Sequence, residues 1–320
     1  RTMVLSTAGA LRAHIGLPAS TRDSRAHRRV GAARPSRRTL RCPGSFLRTN
    51  NDASVRRGHL GAARASAGAA EAEWVVEPSP ADPSCPFDWW KDAVVYQIFP
   101  DRFAPDPAGL APGTQVDAWG SPPTIRSFQG GSLRGITENL DHIQSLGVNT
   151  LYTTPVFLST ANHRYHPSDF MKVDPMLGGE DAFRELVDAC HARGMRFVLD
   201  GVFNHTGRGH WAFASLLDAQ EQSPYKDWFL PKSFPVVAYG VERYHVNYEC
   251  WWDLPDLPKL NFANEGVREH VLDVGAFWVR EFDIDGWRLD YPIEIEPAFW
   301  RRFRDRCRAE KESCVTVGEL

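Results

Sequence analysis

The chain has 320 residues, 42 % of them hydrophobic and 24 % charged, with a net charge of −3. That balance is the one of an ordinary soluble globular protein long enough for one large domain. The charge is unevenly spread. Residues 1–70 hold fourteen Arg, no Lys and only two acids, Asp23 and Asp52, so the remainder is strongly acidic and offers no basic patch to nucleic acid. No run of 18 apolar residues is present, which excludes a membrane helix by composition. Six scattered cysteines without CxxC spacing argue against a zinc site or a disulfide framework and fit a reducing compartment.

In chain order, the Arg/Ala/Ser-rich, acid-poor residues 1–70 read as an organelle transit-peptide-like leader. Residues 71–91, rich in Pro, Glu and Trp, read as a linker, with folded sequence from about Lys91. The apolar run AVVYQIFP (93–100) predicts a strand. ITENLDHIQSLG predicts a helix with Ile136, Leu140, Ile143 and Leu146 on one face and Gly147 as its stop. VNTLYTTPVF (148–157) predicts a second strand, GEDAFRELVDACHARG a helix, and MRFVLDGVFN (195–204) a third strand. An irregular stretch of aromatics and prolines follows to about residue 262. EGVREHVLDVGAFWVREF then predicts a helix, DIDGWRLD a fourth strand, PAFWRRFRDRCRAE a helix and CVTVGEL a fifth strand. Strands alternating with helices predict a parallel sheet. Polar residues gather at the C-terminal strand ends, the active-site face of a (β/α)₈ barrel. The Gly-rich stretch GGSLRG (130–135) is not the phosphate-binding GxGxxG and does not follow a strand directly.

The stretch FDIDGWRLD (282–290) puts three Asp and an Arg on a buried strand, a costly arrangement unless the charges are paired or used. Arg288 and Asp290 share one face because side chains alternate with period two. The Arg is expected to keep Asp290 ionised and oriented, and an ionised, oriented Asp is a good covalent nucleophile. Glu319 ends the next strand, and neighbouring strands lie about 4.8 Å apart. That allows the ~5–5.5 Å carboxylate spacing of a retaining glycosidase, with Glu319 as proton donor. A buried ion pair beside a capping Glu explains the same residues without catalysis.

Four ordered segments carry a family resemblance: DGVFNH (200–205), LPKLN (257–261), GWRLD (286–290) and VGEL (317–320). Together with YQIFPDRF, GGSLRGI, LYTTPVF and YHPSDFMKVDPMLGG, they resemble the alpha-amylase family, glycoside hydrolase family 13, in its neopullulanase and cyclomaltodextrinase branch. The resemblance spans about 91–320. It implies a (β/α)₈ barrel, of which about the first five strands are present, with a domain B-like insert at 205–262. It implies Asp290 as nucleophile, Glu319 as general acid/base, Arg288 as the residue holding the nucleophile, and Asp200 as its support. His205 and Tyr165 are expected at the sugar bound at the cleavage point and Glu294 on the acceptor side. Asn204 is expected to orient its loop, or to bind calcium as in some relatives; no cofactor is otherwise required. Asp285 reads as a structural pair. Tyr244, Trp251 and Trp252 can stack on glucose rings, although all three read mainly as the insert's own core.

The family's third carboxylate belongs near the seventh strand, beyond Leu320, so the chain reads as an N-terminal piece of an amylase-type enzyme. The expected partner is an α-glucan or malto-oligosaccharide, with no membrane and no nucleic acid; the sequence leaves the oligomeric state open. Hydrolysis of α-1,4 or α-1,6 bonds, transglycosylation, and non-catalytic glucan binding are the rival readings. The leader and a starch substrate point to the plastid, with mitochondrion and cytoplasm as alternatives.

Overall fold

A computed structural model describes residues 84–110, 113–240 and 245–319, all within one compact unit. The leader (1–70), much of the linker, Tyr244 and Leu320 lie outside the described residues. The strands are β1 (Val95–Ile98), β2 (Thr150–Thr153), β3 (Phe157–Ser159), β4 (Pro167–Val173), β5 (Arg196–Gly201), β6 (Gly286–Leu289) and β7 (Val315–Gly318). The helices are α1 (Pro100–Phe103), α2 (Leu133–Glu138), α3 (Leu140–Ser145), α4 (Gly179–Ala192), α5 (Trp211–Ala219), α6 (Glu265–Phe282) and α7 (Pro297–Glu310).

Five strands form one sheet in the order β1-β2-β5-β6-β7, every pair parallel. The order never reverses. A doubly wound sheet must reverse at its ligand crevice, so the winding is that of a barrel, with successive strands added to the same edge. β3 and β4 pair antiparallel outside this sheet, in the connection from β2 to α4.

The predicted second strand is therefore two: Thr154–Val156 leave the sheet before β3 begins. The predicted helix from Ile136 is also two, α2 starting at Leu133 and α3 after it. Asn139 breaks them with φ −105° and ψ 8°, and its side chain donates to the carbonyl of Gly135 at 2.8 Å. The irregular stretch after β5 contains α5, and its Phe213, Phe229 and Tyr248 join the same buried cluster as the sheet. The last part of the linker is packed: Cys85 is buried, and the Trp89 indole donates to the carbonyl of Ser313 at 3.0 Å.

Local chemistry explains the two long helices. Asn264 caps α6 by accepting from the amides of Gly266 and Val267 at 2.8 and 3.3 Å, and Asp283 ends it in the left-handed region at φ 57°. α7 starts at Pro297, whose missing N–H costs nothing at a first turn. The two helices pack closely at Gly275, where a Cβ would lie 2.5 Å from the Phe303 ring. Trp278, Trp287, Phe157 and Phe203 fill the layer between helices and sheet. This fixes the parity of β6: Trp287 and Leu289 are buried in the core, and Arg288 faces the other way.

Candidate active site

Arg288 is the centre of the site. Its Nη1 donates to both carboxylate oxygens of Asp200 at 2.9 and 3.0 Å and to Asp290 Oδ1 at 2.8 Å. Its Nη2 lies 2.7 Å from Glu319 Oε2. Asp200 sits beside Arg288 in the β5–β6 register, and the Asp290 and Glu319 amides bond to Gly201 and Leu289 of the preceding strands. Three successive strand ends thus bring three carboxylates to one guanidinium.

Asp200 is fully buried and accepts two phenol hydrogen bonds, from Tyr152 at 2.5 Å and Tyr165 at 2.7 Å. Burial pushes its carboxyl above the ordinary range, against Arg288 and both phenols. The Tyr152 and Tyr165 hydroxyls are pushed up by burial and by the charge of Asp200. Burial opposes the Arg288 charge, but Asp200 together with Tyr152 and Tyr165 more than offsets it, and the guanidinium is held more firmly protonated.

Asp290 departs from expectation. Burial, then the charge of Asp200, raise its carboxyl to about 7 despite the pull of Arg288. One guanidinium divided among three carboxylates does not keep Asp290 as firmly ionised as a dedicated partner would. Glu319 is more open, with 46 % of its side chain exposed.

His205 is buried and bonds through Nε2 to the Tyr165 carbonyl at 3.0 Å, while its Nδ1 has no partner. Burial lowers its imidazole to about 4, so the ring is neutral at pH 7. Trp251 stacks on His205 at 5.4 Å and Trp252 on Trp251 at 5.1 Å. Neither tryptophan is buried, and Trp252 is 65 % exposed. The expectation that they form the insert's core is corrected: they wall a cavity of about 620 Å³ together with Tyr165, His163, His166, Tyr291, Arg288, Asp290 and Glu319.

The other expected residues divide. Glu294 pairs with Lys259 at 2.8 Å and does not line this cavity. Asp285 lies at the opposite end of the sheet, where His191, Arg196 and Lys311 surround it at 2.7, 2.8 and 2.9 Å. Burial alone would raise its carboxyl, but His191, Lys311 and the Phe197 amide hold it well below the usual range. The Asn204 carbonyl orders the loop by accepting from Leu260 at 3.0 Å. Its amide oxygen is buried without a hydrogen-bond partner.

Tyr152 and His163 are site residues that sequence reasoning missed. Tyr152 pairs with Val198 and so shares the face of Asp200, two residues further along β5. That parity was the available signal.

A singly wound parallel sheet with an Arg–carboxylate cluster at its C-terminal strand ends defines the class: an α/β-barrel domain with its candidate site on the strand-end face. Residues 97–320 match the alpha amylase catalytic domain, so the chain belongs to the alpha-amylase family. It is 43 % identical over 234 residues to an intracellular maltogenic amylase of Bacillus subtilis, covering 73 % of this chain and 38 % of that protein. It is also 43 % identical to neopullulanase 2 of Thermoactinomyces vulgaris, covering 73 % and 39 %. Among solved structures, the cyclic alpha-maltosyl-(1→6)-maltose hydrolase of Arthrobacter globiformis superposes with a TM-score of 0.68 at 46 % identity, covering 72 % of this chain and 51 % of that one. The chain thus spans about two fifths of the length of the curated relatives it matches. Among the described residues, no helix is long and apolar enough to cross a membrane.

Proposed function

We propose that this chain carries the catalytic centre of a retaining hydrolase of α-glucosidic bonds in starch-derived glucans. The observation behind the reading is the single Arg288 guanidinium, which holds Asp290 and Glu319 in one aromatic-walled cavity and is backed by the buried Asp200. Asp290 attacks the anomeric carbon as Glu319 gives its proton to the leaving oxygen. Glu319 then takes a proton from water, which cleaves the glycosyl-enzyme ester. Both steps use the chain's own carboxylates, and none is routed through calcium. Asp200 bridges Tyr165 and Arg288, and neutral His205 and the Tyr165 ring bound the sugar. Because Asp290 titrates at about 7, hydrolysis falls on the acid side of neutrality as the nucleophile protonates.

The test is malto-oligosaccharide hydrolysis by the full chain and by Asp290→Asn. The variant should lose at least about 10³-fold in kcat; parent-level hydrolysis by Asp290→Asn rules the mechanism out. Scoring the products for chains longer than the substrate separates hydrolysis from transglycosylation. The Arg-rich, acid-poor start of the chain supports a plastid address, tested by the destination of a fluorescent protein fused to residues 1–70.

A further inference from the structure

Arg164 plays no part in the chemistry above, yet it is 1 % exposed and stands at φ 58°, in the left-handed region that a non-glycine side chain seldom adopts. A fully buried Arg is rare unless paired. Its Nε donates to Asp174 at the end of β4 at 2.9 Å, and its Nη1 lies 3.6 Å from Asp101 of α1 and donates to the Asn162 carbonyl. The Phe128 ring covers the guanidinium at 5.2 Å. Arg102 donates to the other oxygen of Asp101 at 2.8 Å, so two acids and two arginines balance. Three separate stretches of chain therefore close on one side chain: α1, the return of the long loop after it, and the end of β4.

The turn that Arg164 anchors carries the cavity wall. The Tyr165 amide donates to His163 Nδ1 at 3.1 Å. The Tyr165 hydroxyl donates to Asp200 at 2.7 Å, and its carbonyl bonds to His205 Nε2 at 3.0 Å. One residue thus touches both the buried carboxylate behind Arg288 and the imidazole behind the sugar, and its own placement depends on its neighbour.

We propose that Arg164 is a positioning residue for the carboxylate cluster: it locks the turn Asn162–His166 so that Tyr165 holds Asp200 with its hydroxyl and His205 with its carbonyl. The proposal rests on the reading of this cavity as a glycosidase centre. A Lys cannot replace the Arg, because a single point charge does not serve two carboxylates and a carbonyl in fixed directions.

The experiment compares the full chain with Arg164→Lys and with the charge-balanced Arg164→Met/Asp174→Asn, which leaves the Asp101–Arg102 pair intact. Two readouts are taken: kcat and KM on maltohexaose, and the Asp290 carboxyl titration by ¹³C NMR. Both variants should lose about 10²-fold in kcat, the usual cost of misplacing a reacting group by about 1 Å, with KM within roughly threefold. The Asp290 midpoint should fall from about 7 towards the ordinary range as water reaches the loosened cluster. Tyr165→Phe should add little to Arg164→Lys, since both break one linkage. If a folded variant keeps the parent kcat and the parent Asp290 midpoint, Arg164 is structural only. If the balanced variant does not fold, the charge-retaining Lys decides by the same readouts. If the parent does not hydrolyse glucan, the glycosidase reading fails, and the Asp290 titration still tests whether Arg164 positions the cluster.

Discussion

Replacing Asp290 by Asn should make the protein more stable above pH 7, although it removes a charge from an ion pair. The neutral amide resembles the protonated acid in shape and accepts the same Arg288 hydrogen bond. An ordinary Asp titrates at about 3.9, and burial beside Asp200 raises Asp290 to about 7. The folded chain therefore binds this proton more tightly than the unfolded chain. Stability falls as pH rises from about 4 to about 7, and the penalty is complete above that. At 1.36 kcal/mol for each pH unit, the cost is ~4 kcal/mol. For a fold of this size that corresponds to roughly 8–16 °C in Tm. The assay is urea unfolding of parent and Asp290→Asn at pH 8 and pH 4. The variant should lead by several kcal/mol at pH 8 and by little at pH 4. Equal or lower stability of the variant at pH 8 would refute the reasoning, because Arg288 would then offset the full cost of burying Asp290.

At the opposite end of the sheet the sign reverses. Asp285→Ala strips His191, Arg196 and Lys311 of a buried partner and should cost about 3–5 kcal/mol by urea unfolding. The Asp285 contribution in the parent is held above the ordinary carboxylate range and lost only in stronger acid, as pH falls through its depressed folded value. Gly131→Ala would press a Cβ to 2.1 Å from the Pro100 carbonyl, and should lower the unfolding free energy by more than about 3 kcal/mol or abolish soluble expression. Trp252→Ala, at an exposed position stacked on Trp251, should leave Tm within about 2 °C but weaken malto-oligosaccharide binding ~2–10-fold by calorimetry, the worth of one aromatic contact.

Elements governed by local chemistry were legible in the sequence. The residues of α6 and α7 match the stretches read from periodicity, because Asn264, Asp283 and Pro297 sit where end signals belong. Arg288, Asp290 and Glu319 were legible as a group because strand parity and strand adjacency are simple geometry. What depended on distant partners was not. The hairpin of β3 and β4 has an irregular register and, among the described residues, forms a two-stranded sheet of its own. Helix α5 is short and lies among prolines and aromatics that mask its period. Trp252 and Asp253 stand in the left-handed region, where Trp252 is exposed; a bulky aromatic does not announce that conformation. The raised Asp290 carboxyl has the same origin: its neighbour Arg288 is visible in the sequence, but its burial and the repelling charge of Asp200, ninety residues earlier, are not.

The one-way order of the sheet also has a consequence for synthesis on the ribosome. The chain emerges at ~5–20 residues per second, and each parallel strand after the first meets a partner that is already out of the tunnel. Asp200 appears first and finds its phenol donor, Tyr152, one strand earlier. Arg288 then precedes Asp290 by two positions, and Glu319 comes last. A nascent chain therefore never has to bring Asp200 and Asp290 together before the guanidinium that separates them has been made.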